Sequence, residues 1–231
     1  MNNKLSIIVP CLNEVANIER TLLPLQALRQ RGHEVILSDG GSKDNTTAIA
    51  ALLCDKVISS EKGRAIQMNT GAAHANGNIL LFLHADTIAP EYLDDLVINA
   101  LNSKHKYWGR FNVKLSGKHC LFRVIETLMN LRSCFSGIAT GDQGIFLRQH
   151  TFNELSGFKN IPLMEDIELS SRLKKVSRPA CITKSHLITS SRRWEEHGIL
   201  KTILLMWKLR LKYFIGTPPI QLAQQYNDNG K

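Results

Sequence analysis

The chain has 231 residues, 43% hydrophobic and 21% charged, with a net charge of +9. That balance excludes a disordered or fibrous chain, and the length suffices for one packed domain without disulfide staples. No apolar run approaches the ~20 residues that span a bilayer, and the stretch from Met1 to Val9 lacks a signal-peptide pattern, so residence in the cytosol is expected.

The first hundred residues alternate strand and helix signals. Leu5–Pro10 is a short β-branched run. Asn13–Arg31 is helical in pattern, with Pro24 as a kink. Glu34–Asp39 is a second strand, ending in Gly40-Gly41-Ser42, and Asp44–Leu53 is a helix with Ser42 or Asp44 near its N-cap. Lys56–Ser60 is a third strand, and Arg64–Ala75 an Ala-rich helix closed by Asn76-Gly77. Ile79–His84 is a continuous apolar run, as a central strand buried on both faces requires. Pro90 suits the first turn of a helix that runs to about Asn102. This order implies an α/β fold with a mostly parallel central sheet and helices on both faces.

The second half is less regular. Tyr107–Leu115, Gln143–Leu147 and Ala180–Thr183 are strand-like. Cys120–Leu131 and Glu165–Lys175 are helical, and a long helix is predicted from about Glu195 to Phe214, with a loose tail after Gln225. One domain over residues 1–231 is expected. The five cysteines are widely spread and form no CxxC pair, which argues for buried or partly buried free thiols over a metal or redox site. The charge is concentrated. Arg172 to Lys212 holds eleven Lys/Arg and two acids, the whole excess of +9, and such a patch attracts phosphates.

Open α/β sheets bind ligands at the carboxyl ends of their strands. Those ends carry Pro10 and Glu14, Asp39, and His84-Ala85-Asp86. Neither a GxGxxG dinucleotide loop nor a Walker A loop is present. Phosphate must then be neutralised otherwise, and a divalent cation on Asp86 is the economical candidate.

The pieces Ile7-Ile8-Val9-Pro10 with Asn13-Glu14, Ser38 to Ser42 with Asp44-Asn45-Thr46, and Lys62-Gly63-Arg64 with Asn69-Thr70-Gly71 occur in order. They are followed by His84-Ala85-Asp86, Gly141-Asp142, Glu165-Asp166 and Arg193-Trp194. In this order and spacing, over about residues 4–195, the chain resembles the family 2 glycosyltransferases, which have the GT-A fold. Gly-Gly-Ser at 40–42 and Ser-Arg-Arg-Trp at 191–194 are similar to a small bacterial branch associated with arsenosugar biosynthesis.

The resemblance implies a GT-A-like three-layer α/β/α fold with a Rossmann-like sheet. A nucleotide-sugar-binding half would occupy residues 4–102. An acceptor and catalytic half would occupy 103–215, ending in the amphipathic helix. Pro10, Glu14 and Asp39 would hold the base and ribose of a nucleotide-sugar, a UDP-sugar first. Arg64 would contact the diphosphate, and Asp86, with His84, would ligate Mn²⁺ or Mg²⁺. Asp166 would be the general base of an inverting displacement, its basicity raised by partial burial beside Glu165. Asp142, Glu165, Arg193 and Trp194 would shape the site of a small-molecule or lipid-linked acceptor.

Departures and alternatives accompany this reading. The first acid of the usual Asp-x-Asp metal motif is His84 here, and histidine suits Mg²⁺ poorly. Ser190 replaces the Gln of Gln-x-x-Arg-Trp, which argues against processive synthesis. Trp194 can equally be a core residue. The C-terminal helix either packs as core with its lysines in water, the preferred reading, or lies on the inner face of a membrane. A sugar-1-phosphate nucleotidyltransferase and a non-enzymatic basic binder are the competing functions. A nucleic-acid partner is not expected, because it leaves the strand-end acids unexplained.

Overall fold

The computed structural model describes residues 3–228. The strands expected in the first hundred residues form as β1 (Leu5–Cys11), β2 (Glu34–Asp39), β3 (Lys56–Ser59) and β4 (Ile79–Phe82). They run parallel, in spatial order β3-β2-β1-β4. Between them lie α1 (Ile18–Leu22), α2 (Gln26–Gln30), α3 (Thr46–Leu53) and α4 (Arg64–Ala73); α5 (Leu93–Asn102) follows. A 3-10 turn at Leu23–Leu25 separates α1 from α2 where Pro24 removes an N–H from the helix ladder.

Strand alternation divides the core in two. Leu5, Ile7 and Val9 face Ile18 and Leu22 of α1, Ala50 of α3 and Leu93 and Val97 of α5. Ile8 faces the other way, onto Ala65, Met68 and Ala72 of α4. That packing is close: a Cβ on Gly71 would lie 2.5 Å from the Ile8 side chain. Helices therefore cover both faces, as expected.

The second half comprises β6 (Trp108–Leu115), α6 (Cys120–Ser136), β7 (Phe146–Arg148), α7 (Gln149–Glu154) and α8 (Glu165–Val176). It continues with β8 (Ala180–Thr189), α9 (Arg192–His197), α10 (Ile199–Phe214) and α11 (Pro219–Asp228), and a short β5 (Thr87–Ile88) precedes α5. The eight strands form one sheet in the order β3-β2-β1-β4-β7-β6-β8-β5. This corrects the expectation of a mostly parallel sheet, because the sheet is mixed. β7 is antiparallel to β4 and β6, and β5 is antiparallel to β8. At three and two residues, β7 and β5 are too short for an alternation to be read.

Other boundaries also differ. β8 extends six residues beyond Thr183 through a register shift against β6, between Phe111 and Asn112; the polar run Lys184-Ser185-His186 hid it. Gly198, at φ 85°, splits the long helix into α9 and α10. The expected loose tail is helical to Asp228, and its last residues, 229–231, lie outside those described. Of the thiols, Cys11 and Cys54 are buried but Cys120 and Cys134 are exposed. The C-terminal helix is only half core. Leu209 is buried, while Leu200, Leu204, Trp207, Leu211, Phe214 and Ile215 are between 64% and 73% exposed.

Buried Glu34 ties β2 to its neighbours. Its carboxylate accepts from Ser6 Oγ at 2.5 Å, Asn76 N at 2.5 Å and Gly77 N at 3.1 Å. Burial alone would raise this carboxyl. The Ser6 and Asn76 hydrogen bonds and the Lys56 charge outweigh burial and hold it below the ordinary 4.5. The stability it contributes is therefore present above that value and is lost as pH falls through the depressed folded value. Glu34→Ala removes the acceptor of the buried Ser6 hydroxyl and of Asn76 N, while Gly77 N keeps Ser6 Oγ at 2.9 Å, and is expected to lower unfolding free energy by about 1 kcal/mol or more. Denaturant titrations from pH 7 to pH 3 check this: wild type should lose its advantage over the variant at the acid end.

Candidate active site

β1 and β2 end side by side, with Cys11 opposite Asp39. The loops beyond them interlock. Asn13, at φ 54°, donates its N–H to Ser42 Oγ at 2.8 Å and accepts from Lys43 N at 2.8 Å. Glu14 N donates to Thr46 Oγ1 at 2.9 Å. Asp39 is buried beneath this loop and accepts from the backbone of Gly41 and Ser42, at 3.0 and 2.9 Å, and from the Ser42 hydroxyl. Asp39 therefore shapes the Gly40–Ser42 turn from below. Gln67, buried on α4, clamps the two strand ends by donating to Cys11 O at 2.6 Å and Ser38 O at 3.0 Å. Sequence reasoning missed Gln67, because a lone Gln on a helix carries no signal.

Beyond β4, a second group assembles from both halves of the chain. Arg64, His84, Gly141, Glu165 and Asp166 line one cleft. Arg64, half exposed at the start of α4, lies 3.6 Å from Glu165, whose side chain is 4% exposed. His84 Nδ1 donates to Asp142 Oδ1 at 3.1 Å. Asp166 Oδ2 accepts from Gly141 N at 2.8 Å, and its Oδ1 from Ile167 N at 2.7 Å. Met164, immediately before α8, sits at φ 69°, a strained conformation for a non-glycine residue that fixes how the Glu165-Asp166 pair enters the cleft. Burial and then the charge of Asp166 push the Glu165 carboxyl above its usual range against the pull of Arg64. Burial also works to raise Asp142, but the His84 hydrogen bond and the charges of His84, Arg64 and Arg210 hold it below its usual range.

This geometry of nested strand-end loops facing a two-acid helix start has a family counterpart. Residues 6–150 match the family model described as Glycosyl transferase family 2. The chain belongs to that family. It is 25% identical over 254 residues to "Probable glycosyltransferase YdaM" of Bacillus subtilis, covering 95% of this chain and 56% of the relative. The chain spans about half the length of the curated relatives it matches. Among solved structures, a mannosyltransferase of Pyrobaculum calidifontis in complex with GDP-Man and Mn²⁺ superposes with a TM-score of 0.68 at 18% identity, covering 98% of this chain and 69% of that one. TarS of S. aureus in complex with UDP gives 0.67 at 18% identity, over 86% and 63%. The shared fold is the GT-A arrangement.

The remaining candidates of this family 2 chain distribute around the cleft. Pro10 is buried in β1. Glu14 lies 3.6 Å from Arg192 and accepts from Asn17 Nδ2. Asp86 lines a second cleft with Asn17, Arg20 and Ser190, while His84 lines the cleft of Arg64 and Asp166. Trp194 packs beside Leu115, Phe122 and Ile125, the core role that the sequence left open. Arg193 lies 3.6 Å over the ring of Tyr226 and donates to that residue's carbonyl. Burial raises the Tyr226 hydroxyl, and it feels Arg193, Arg64, Asp142 and Glu165, so α11 reaches over the cleft. Tyr226 fell in the segment expected to be a tail.

Among the described residues no group of three or more His, Cys, Asp or Glu side chains could hold a metal ion by itself, so a cation here would take one protein carboxylate and the rest of its ligands from a bound diphosphate. Asp86 makes one weak contact, from Thr87 Oγ1 at 3.4 Å, and no ion pair among the described residues, which leaves its carboxylate for a hard cation. His84 is less available: Nδ1 is engaged by Asp142, and the enclosed Nε2 has no partner and faces Gly141, where a Cβ would lie 2.3 Å away.

Proposed function

We propose that this chain transfers a sugar from a nucleoside diphosphate sugar to an acceptor hydroxyl, with inversion at the anomeric carbon. The observation that carries the proposal is the placement of Asp166. Its two oxygens are oriented by Gly141 N–H and Ile167 N–H inside a cleft that also holds Arg64. Each oxygen retains a lone pair for an incoming proton.

Pro10, Glu14 and the turn shaped by Asp39 receive the base and ribose, with a UDP-sugar as the first choice of donor. Arg64 approaches the diphosphate, where a planar guanidinium bridges two oxygens. Asp86 would hold Mn²⁺ or Mg²⁺, whose charge stabilises the departing nucleoside diphosphate. Asp166 takes the proton of the acceptor hydroxyl as that oxygen bonds to the anomeric carbon and the bond to the diphosphate breaks. Glu165 sets the position of Arg64, and Asp142 that of His84. Arg193, held by Tyr226, borders the acceptor side. The spelling of residues 40–42 and 191–194 supports the narrower placement in the arsenosugar-associated branch.

The membrane reading of the C-terminal helix gains support from exposure. The apolar stripe of α10 recurs every three to four residues. A second stripe runs along α6: Leu121, Val124, Leu128, Leu131 and Phe135, all exposed. The two helices are neighbours, since Ile125 and Met129 pack in one cluster with Ile199 and Ile203. Lys201 and Lys208 flank the α10 stripe in solvent. No helix of the described residues is long and apolar enough to cross a membrane. We infer peripheral contact with an anionic lipid surface at the inner face of a membrane.

Two outcomes follow. Asp166→Asn should keep nucleotide affinity and lower turnover of a UDP-sugar by about 10²-fold or more, read as nucleoside diphosphate release; unchanged turnover removes Asp166 from the chemistry, and release of pyrophosphate selects the nucleotidyltransferase reading. Sedimentation with phosphatidylglycerol vesicles should retain wild type at low salt and release Leu204→Glu/Trp207→Glu; equal recovery of both with neutral and anionic vesicles contradicts the membrane assignment.

A further inference from the structure

Three arginines, Arg110, Arg132 and Arg210, form no ion pair with a carboxylate among the described residues, although the charge of Asp166 reaches Arg132 and Arg210. On α6, Ile125 packs in the same cluster as Ile203 of α10. Seven residues beyond Ile125 is Arg132, and seven beyond Ile203 is Arg210. Seven residues are nearly two helical turns, so each arginine continues the face its helix presents to the other. Leu209, adjacent to Arg210, packs with Met164 and Ile167, which brings this part of α10 to the head of α8 and to Asp166.

The guanidinium of Arg132 has its Nε and Nη2 enclosed and without a hydrogen-bond partner. Arg210, half-buried, forms no hydrogen bond or ion pair among the described residues. Arg110, fully buried, directs its Nη atoms to Phe111 O and Asn130 O, and its Nε is also unpartnered. Burial and the charge of Arg210 push Arg132 down to about 10 against the pull of Asp166, and burial lowers Arg210 against the pull of Asp166 and Asp142. Enclosed, mutually repelling cations with unmatched N–H groups are costly unless an anion meets them. The charges of Asp166 and Asp142 offset this in part, but no carboxylate among the described residues forms an ion pair with Arg132 or Arg210.

We propose that Arg132 and Arg210 form a phosphoryl-binding subsite beside Asp166, and that the acceptor carries a phosphate group which docks there while its hydroxyl faces the base. Nε and Nη2 of Arg132 are neighbouring donors on one edge of the guanidinium, the edge that meets two oxygens of one phosphate. Arg210 supplies the second positive charge that a phosphate dianion balances. The subsite is built on α6 and α10, whereas the donor diphosphate position is at Arg64 on α4. It rests on the glycosyl-transfer reading for the role of its ligand, but not for its existence. The phosphate belongs either to a soluble phosphate ester or to a lipid headgroup; α6 and α10, which carry the two arginines, also carry the exposed apolar stripes.

The test titrates sn-glycerol 3-phosphate, and separately phosphatidic acid vesicles, into the full chain saturated with UDP. The same titrations are made on R132Q, R210Q and the double variant, with phosphatidylcholine vesicles as the blank. Wild type should bind one of the two probes, and the double variant should bind it at least tenfold more weakly with UDP affinity unchanged. Binding of the soluble ester assigns a soluble acceptor, and binding of the vesicles alone a lipid acceptor. Wild-type binding of neither probe, or equal binding by wild type and double variant, overturns the subsite. If the double variant does not fold, half-buried R210Q alone must still weaken binding, and its failure to do so overturns the subsite equally. UDP titration of wild type decides the donor reading separately: phosphate binding without UDP binding keeps the subsite and removes glycosyl transfer.

Discussion

Two contacts across the sheet edge, Arg64 to Glu165 and His84 to Asp142, hold the candidate site together. Each joins a residue from the parallel strand-helix half to one from the mixed half. Without them the cleft would gather Asp142, Glu165 and Asp166 with too little compensating charge, and like charges held close and dry repel strongly. The head of α8 adds a further favourable term, because its exposed N–H groups face the acids of its first turn. The site is thus a charge-balanced seam, and the Asp166 carboxylate, oriented by two N–H groups, is the member left with a free lone pair for chemistry.

The first half was legible because β1, β2 and β4 are largely apolar, buried runs closed by a turn or an acid. Glu34–Asp39 followed by Gly40-Gly41-Ser42 announces both a strand and the loop beyond it, and β2 forms over those residues. The motif residues Arg64, His84, Glu165 and Asp166 line one cleft, and Asp142 is held to His84 beside it. The second half was less legible for physical reasons. β5 and β7 are shorter than one readable alternation, and the bulged stretch of β8 places Lys184 to His186 where a strand signal would need apolar residues. The residues after Gln225 carry too few apolar positions to read as structure, yet α11 continues through them to Asp228, starting at Pro219, where a missing N–H is harmless. The expected tail hid Tyr226, whose ring underlies Arg193.

Helices α6 and α10 have two working faces. Their shared inner faces begin as apolar packing and end in Arg132 and Arg210, while their outer faces expose Leu, Val, Trp and Phe side chains. Periodicity alone assigns such a helix to the core, because a wide apolar surface is normally covered. Here the apolar residues exceed what the interior can cover. A surface dipping into anionic lipid beside a phosphoryl subsite would let an acceptor reach Asp166 without leaving the interface, which gives both faces one purpose.

The central claim is that the carboxyl edge of the parallel strands holds a nucleoside diphosphate whose charge is met by a cation on Asp86. Calorimetric titration of UDP into wild type and Asp86→Ala, with and without Mn²⁺, tests it most directly. The account predicts that Mn²⁺ tightens wild-type binding by about tenfold or more, and that Asp86→Ala keeps the metal-free affinity but loses the gain. An undiminished Mn²⁺ effect in Asp86→Ala, or no UDP binding by wild type under either condition, contradicts it.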